Sequence, residues 1–127
     1  MVLDFKIKKI DGKGLGVFAT RSYAVGEVVE SCPVIPLTET ERDHISNTIL
    51  DNYIYPWHDE TDDGCMVLGY GSLINHSYAA NCEWVQDFDN GNMVYRAVKA
   101  IKTGEEITVN YNGPPNDSKP IEWFEVK

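Results

Sequence analysis

Residues 69–77 are Gly69-Tyr70-Gly71-Ser72-Leu73-Ile74-Asn75-His76-Ser77, and Asn81-Cys82 follows shortly after. Glycines on both sides of an aromatic residue allow the backbone to approach another group closely. The polar run comes directly after two apolar residues, so it stands at the edge of the core. Because buried polar groups need hydrogen-bond partners, this segment either threads through other parts of the chain or holds a ligand. The plainer alternative is a strand and a turn with a satisfied core histidine.

The size and composition of the chain indicate one globular domain. It has 127 residues, of which 43% are hydrophobic and 24% are charged, which suits a single core. No apolar window approaches the roughly 18 residues of a membrane-spanning helix. The N-terminal residues lack the basic start and apolar run of a signal peptide. We therefore expect an intracellular protein that does not bind membranes.

The charge of the chain favours some partners over others. The formal net charge is -9 at pH 7, which disfavours nucleic acid as a direct partner because phosphates repel an acidic surface. The same charge favours a basic partner, such as a peptide rich in lysine and arginine. The acidic stretch 59–64 could receive such a peptide, although a solvated hairpin tip is the alternative.

Metal binding finds no support in the sequence. The chain has three cysteines and three histidines, all widely spaced: Cys32, Cys65, Cys82, His44, His58 and His76. None of them falls at the spacing of a zinc site. We expect buried free thiols and no metal.

Most of the chain has the patterns of short β-strands. Residues 5–10 alternate apolar and lysine side chains, and residues 27–35 form one or two strands with a bend or an edge at Pro33. Asn90-Gly91, between 82–88 and 93–98, is the strongest short hairpin signal. Residues 106–111 predict a last strand.

The sequence predicts one helix of appreciable length. Thr38 and Glu41 have the spacing of a capping box, which places the start of the helix at Thr38. Modest apolar periodicity carries the helix to about Leu50. No alternation of strands and helices supports a parallel nucleotide-binding sheet.

The glycine-rich stretch 11–16, Asp-Gly-Lys-Gly-Leu-Gly, exposes backbone beside an apolar run. Its spacing matches neither a phosphate-binding loop nor a dinucleotide fingerprint. It can be a hairpin turn, or a loop that offers N–H and C=O groups to a ligand.

Three separated segments share one explanation: Lys13 to Ala19, Leu73 to Cys82 and Gly104 to Gly113. In this order and spacing they resemble the SET-domain protein lysine methyltransferases, over residues 5–113. The resemblance implies a mainly β fold with several small curved sheets, one main helix and a threaded, knot-like crossing near the C-terminus. Residues 114–127 are then a C-terminal segment that packs over the site.

The function implied by this resemblance is methyl transfer from S-adenosylmethionine to a lysine side chain of a basic protein. A histone or histone-like tail is the candidate substrate. The alternative is a catalytically inactive SET-like module that binds basic peptides. The sequence is compatible with either a monomer or a homodimer.

The family pattern also implies which residues form the site. Eight residues are expected at the cofactor: Lys13, Gly14, Leu15, Gly16, Tyr53, Asn75, His76 and Trp123. The glycine loop would hold the methionine end through its backbone, and Asn75 and His76 would grip the cofactor near its adenine and amino-acid moieties. Tyr111 matches the active-site tyrosine of the family.

Two departures from the family pattern affect these expectations. No cysteine-rich zinc cluster follows Tyr111, so Trp123 or Phe124 would cover the adenine or close the lysine channel, with a plain docking anchor as the alternative for Trp123. Val109 stands where the family often has a larger aromatic residue. The smaller valine side chain leaves room for a lysine that carries more methyl groups, unless Tyr55 or Tyr70 fills that space. The sequence therefore leaves mono-, di- and trimethylation open.

The chemistry of methyl transfer fits these residues. Displacement at a sulfonium needs alignment more than acids or bases. The attacking amine must be neutral, and with a free pKa near 10.4 only roughly one lysine in a few thousand is neutral at pH 7. A nearby sulfonium and partial desolvation lower that pKa. The Tyr111 hydroxyl and backbone carbonyls can orient the amine without acting as a base.

Overall fold

The computed structural model describes residues 5–12, 14–58, 60–115 and 118. Within these ranges the chain forms nine β-strands, one α-helix and two 3₁₀ helices. The strands are β1 (Phe5–Ile10), β2 (Gly14–Ala19), β3 (Val28–Leu37), β4 (Ile54–Pro56), β5 (Gly64–Val67), β6 (Asn75–His76), β7 (Cys82–Asp87), β8 (Asn92–Ala97) and β9 (Thr108–Val109). The helix α1 spans Glu39–Ile45, and the two 3₁₀ helices span Ile49–Tyr53 and Gly71–Leu73. The mainly β prediction is confirmed, and none of the helices in the described part is long and apolar enough to cross a membrane.

Three small sheets make up the architecture. β1 and β2 form an antiparallel pair, and five strands form a sheet in the order β4-β5-β3-β8-β7. The third sheet is the parallel pair β6 and β9. The predicted Asn90-Gly91 hairpin is present between β7 and β8, where Gly91 takes a φ of 67° that favours glycine.

β3 is the long strand of the larger sheet and changes partners along its length. Val28 to Pro33 pair with β8, and Val34 to Leu37 pair with β5. Pro33 lies where the partner changes, inside one continuous strand, rather than at an edge or between two strands. The missing N–H of proline is tolerated there because the ladder to β8 ends at this residue.

The capping box at the start of α1 is confirmed, because Thr38 accepts from the Glu41 backbone and the Glu41 side chain accepts from Thr38 N–H. The predicted end near Leu50 is wrong, since α1 ends at Ile45. Ser46 and Thr48 donate their hydroxyls to the carbonyls of Asp43 and Ile45, at 2.6 and 2.7 Å. Short polar side chains that bond nearby carbonyls compete with a continuing helix.

The core is one cluster to which all three sheets contribute side chains. Its fully buried side chains include Tyr95, Met93, Ile101, Ile107, Val17 and Val109. The three cysteines are free and buried, as predicted. The predicted last strand is shorter than 106–111, because residues 105 and 107 hydrogen-bond with β2 and only Thr108–Val109 pair with β6.

Candidate active site

The parallel pairing of β6 with β9 joins two distant passes of the chain. Asn75 pairs with Thr108 and His76 pairs with Val109. Asn81 holds the two passes together, since its amide donates to Glu106 O at 2.8 Å and its Oδ1 accepts from Thr108 N at 2.9 Å. This crossing carries polar side chains into the interior directly after Leu73 and Ile74.

Asn75 lies at the junction of three segments. Its Nδ2 donates to Leu15 O and to Oε2 of Glu106, both at 2.9 Å. Because both amide hydrogens are used, the Oδ1 of Asn75 points away from these two acceptors. A Cβ at Gly16 would lie 3.0 Å from the Glu106 carboxylate and 3.3 Å from the Asn75 amide. A glycine at position 16 therefore leaves the space in which this junction forms.

His76 and Tyr111 are held against each other in the interior. His76 is 3% exposed, and its Nδ1 accepts the Tyr111 N–H at 2.9 Å. A neutral imidazole with Nδ1 as acceptor carries its proton on Nε2. The Tyr111 hydroxyl donates to Ile74 O at 3.0 Å. Burial, with smaller effects of Tyr53 and Glu106, raises the pKa of Tyr111 to about 12, so its hydroxyl stays protonated at neutral pH.

Two cavities meet at Tyr111. The larger, of about 280 Å³, extends from Tyr111 to Tyr55, Arg42 and Asp51. The smaller, of about 150 Å³, extends to Leu15 and Asn75. Four residues line both cavities: Asn52, Tyr53, Ser72 and Tyr111. A ligand in the smaller cavity would therefore face a ligand in the larger cavity across this shared wall.

The structure gathers several of the residues predicted for the cofactor. Leu15, Tyr53 and Asn75 line the smaller cavity, and His76 contacts Tyr111 behind it. Gly14 begins β2 with a φ of 82°, and Gly16 borders the Asn75 junction. Lys13, Trp123 and Phe124 lie outside the described residues, as does most of the predicted segment 114–127.

The residues predicted for the substrate channel divide into two groups. Tyr55 lines the larger cavity, with its ring edge-on to Tyr111 at 6.4 Å. Tyr70 packs edge-on against Phe5 at 5.2 Å, and Val109 is fully buried opposite His76. Neither Tyr70 nor Val109 is among the described residues that line the two cavities.

Sequence reasoning missed several residues of this site. The side chains it did not select are Arg42, Asp51, Asn52, Ser72, Asn81 and Glu106. Asn81 and Glu106 belong to the segments that carried the family resemblance, so their motif positions were a usable signal. Ser72 offered none, because a serine between Gly71 and Leu73 looks like an ordinary turn residue.

Comparison with known proteins gives one consistent result. A family model described as SET domain matches residues 14–112. A Schizosaccharomyces pombe histone-lysine N-methyltransferase, described as H3 lysine-37 specific, is 34% identical over 107 residues, covering 84% of this chain and 71% of that protein. The N-lysine methyltransferase KMT5A of Xenopus tropicalis is 32% identical over 118 residues, covering 84% of this chain and 35% of that protein. A Plasmodium falciparum crystal structure described as a histone methyltransferase superposes with a TM-score of 0.68 at 27% identity, over 87% of this chain and 95% of that one.

Proposed function

From the premise that this chain belongs to the SET-domain family and is a protein-lysine N-methyltransferase, we propose that methyl transfer takes place across the wall shared by the two cavities. S-adenosylmethionine, the methyl donor of SET methyltransferases, would occupy the smaller cavity. The target lysine would enter through the larger one. Tyr111 lines both cavities, so its hydroxyl can reach groups on either side.

The polar groups around the smaller cavity suit the methyl donor. Leu15 belongs to the glycine-rich loop and Asn75 presents its side chain beside that loop. At Gly14, next to Leu15, an added Cβ would meet no heavy atom within 4 Å, so the bare backbone there allows a close approach of the amino-acid end of the ligand. When bound, the donor supplies a sulfonium whose methyl group leaves as the lysine nitrogen attacks.

The larger cavity suits a lysine side chain. Tyr53 and Tyr55 provide aromatic wall for its methylene groups. Partial desolvation and a nearby sulfonium both favour the neutral amine, which is the form that attacks. Because the pKa of Tyr111 is raised to about 12, Tyr111 acts as a hydroxyl that orients groups and not as a base. The amine proton leaves through water.

The substrate proposed here is a basic protein inside the cell, with a histone or histone-like tail as the candidate. The net charge of -9 attracts basic chains, and Asp51 adds a carboxylate to the larger cavity. The relative from Schizosaccharomyces pombe acts on histone H3 by its description. Homodimerisation of this chain remains a separate proposal. A SET-like module without catalysis is the disfavoured alternative, because Asn75, His76 and Tyr111 all stand at the site.

The observation that carries the proposal is that Tyr111 belongs to the common wall of the two cavities. The test measures transfer of labelled methyl groups to histone tails and other basic peptides. Tyr111→Phe is expected to lower kcat by roughly 100-fold or more, while calorimetry finds S-adenosylhomocysteine binding retained.

Tyr23→Phe is the matched control for this test. It removes a phenolic oxygen from a core tyrosine that is 2% exposed and outside the described cavity linings, so turnover should stay near the wild-type value. Wild-type turnover retained in Tyr111→Phe would refute the assigned role. Tight peptide binding without any wild-type turnover would support the non-catalytic module.

A further inference from the structure

Ser72 occupies an unusual position between three segments. It sits in the 3₁₀ helix Gly71–Leu73 and lines both cavities. Its Oγ accepts the N–H of Val67, in β5, at 3.0 Å and donates to the carbonyl of Tyr53 at 3.1 Å. The Met66 sulfur, at 3.5 Å, is a weaker acceptor for the same hydroxyl hydrogen. One hydroxyl therefore links a strand and two 3₁₀ helices.

The carbonyl that Ser72 holds belongs to a residue of the common wall. Tyr53 is the last residue of the 3₁₀ helix Ile49–Tyr53, and no residue of that helix is buried. Packing alone therefore anchors this helix weakly, since burial of apolar side chains supplies most helix stability in proteins. The Ser72 hydroxyl adds a fixed long-range tie, across 19 residues of sequence, at the residue that borders both cavities.

Glycine at position 71 keeps Ser72 close to these partners. A Cβ at Gly71 would lie 2.2 Å from the Val67 side chain and 2.8 Å from the Tyr95 hydroxyl. The Tyr55 hydroxyl also donates to Gly71 O at 3.4 Å. The 3₁₀ helix that carries Ser72 is thus pressed onto the core, while the helix that carries Tyr53 is not. The Ser72 hydroxyl, on the firmly packed 3₁₀ helix Gly71–Leu73, therefore positions the more weakly anchored 3₁₀ helix Ile49–Tyr53.

We propose that Ser72 is a positioning residue for Tyr53, and that through Tyr53 it sets the space in which the target amine turns between successive methyl transfers. This inference rests on the proposed function, because it assumes that lysine and methyl donor meet at the common wall. A hydroxyl lost from position 72 releases the Tyr53 carbonyl and lets the ring withdraw. More room at the wall then favours higher methylation states.

A purely structural role makes a different prediction. If the hydroxyl only satisfies the Val67 N–H, its removal lowers the urea midpoint of unfolding and reduces the amount of folded enzyme. The ratio of dimethyl to monomethyl product does not depend on how much enzyme is folded. That ratio therefore separates positioning from support.

The experiment is a double-mutant cycle on Ser72→Ala and Tyr53→Ala. Mass spectrometry measures the methylation states of a basic peptide after equal turnover, and calorimetry measures binding of S-adenosylhomocysteine. Ser72→Ala is expected to raise the ratio of dimethyl to monomethyl product at least about twofold and to weaken S-adenosylhomocysteine binding about fivefold, as loss of one hydrogen bond allows. Neither change should occur when alanine already replaces Tyr53.

Two further variants complete the design. Ser72→Thr keeps a hydroxyl and should restore the product ratio in part. Ser31→Ala is the control, because the Ser31 hydroxyl accepts from Asn92 at 3.3 Å in the exposed part of β3, outside the described cavity linings.

An unchanged product ratio and unchanged binding in Ser72→Ala would overturn the proposal, and so would equal effects in the Tyr53→Ala background. Absence of wild-type turnover would instead refute the proposed function. The binding cycle would still report on Ser72, because it needs no turnover.

Discussion

The crossing wall, residues 74–77 with 106–111, and the helical wall, residues 38–53, face the same larger cavity but are anchored differently. In the crossing wall Ile74, His76 and residues 107–110 are buried. In the helical wall neither α1 nor the following 3₁₀ helix has a buried residue. The side chains of Ile49 and Leu50 are 72% and 45% exposed.

The hydrogen bonds of the two walls differ in the same way. The crossing wall is tied by long-range bonds, such as Tyr111 N–H to His76 and the Trp84 indole N–H to Asn110 O, both at 2.9 Å. The helical wall depends on exposed or half-buried contacts, such as the Arg42 guanidinium to Asp62 O at 3.1 Å. Tyr111, which we propose orients the chemistry, is therefore rigidly held, whereas the wall proposed to meet the substrate can adapt or diverge at little loss of stability.

Alkaline unfolding should show the largest effect, because three thiols of the five-stranded sheet are buried in neutral form. Burial raises the pKa of the thiols to about 11 for Cys32 and about 12 for Cys65 and Cys82. A thiol exposed by unfolding ionises near pH 9, so stability is full below that pH and falls as the pH rises towards 11–12. The loss is roughly 2 kcal/mol per thiol by pH 11.

Urea unfolding at pH 8, 9, 10 and 11 measures this loss. The raised pKa of the Tyr55 and Tyr95 phenols, caused first by burial, adds to the decline at the upper end. A midpoint that stays constant to pH 11 would show that these groups are not buried as described.

Removing the Asn81 side chain, which ties the two chain segments of the crossing wall together, should have the next largest effect. Asn81→Ala deletes the bonds to Glu106 O and Thr108 N–H, and two partly buried hydrogen bonds are worth about 2–3 kcal/mol of unfolding free energy. Asn90→Ala is the control, since among the described hydrogen bonds the Asn90 side-chain amide bonds only to nearby Asp87, in an exposed turn. Equal urea midpoints for the two variants would contradict the difference between the regions.

Two adjacent glutamates, Glu105 and Glu106, test whether the crossing wall supports cofactor binding. Glu106→Ala frees the Asn75 amide from its carboxylate partner and should weaken S-adenosylhomocysteine binding about five- to tenfold. Glu105→Ala removes an exposed carboxylate that accepts only from the local Lys102 N–H among the described bonds, so binding should change less than about twofold. Calorimetry on both variants decides the matter, and a similar loss in Glu105→Ala would mean that overall charge and not the Asn75 junction is responsible.

The start of α1, the part of the helical wall farthest along the chain from Tyr53, should give the smallest effect on cofactor binding. Thr38→Ala removes the N-cap of α1 and should lower stability by about 1 kcal/mol. S-adenosylhomocysteine affinity should be unchanged, because no residue of α1 is among the described residues that line the smaller cavity. A loss of affinity as large as that of Glu106→Ala would erase the distinction between the two walls.

Local patterns in the sequence predicted the local parts of the fold well. The capping box at Thr38 and the hairpin at Asn90-Gly91 depend on residues close in sequence, and both are present. The end of α1 was misjudged because the apolar spacing of Ile49 and Leu50 outweighed the side-chain bonds of Ser46 and Thr48. Hydrophobic periodicity does not register such competition.

The site was predicted through motif resemblance and not through local pattern. Asn75 and Tyr111 carried the motif, and the structure brings them to one cavity. The role of Ser72 could not be foreseen, because its partners, Val67 and Tyr53, become neighbours only after the sheets assemble. Residues that act through backbone groups of distant segments leave no mark in the spacing of side chains.

The bonds that complete the site also determine when it can form. Asn75 joins Leu15 across 60 residues, and Tyr111 joins His76 across 35. Contacts between distant segments form slowly, because long loops must close first. During synthesis the chain can build its hairpins early, but the proposed methyl-donor pocket cannot form until the segment around Tyr111 has left the ribosome and docked beside β6. The active site of this enzyme should therefore form later than its hairpins, and a nascent chain halted before Thr108 should fold in part yet fail to bind S-adenosylhomocysteine.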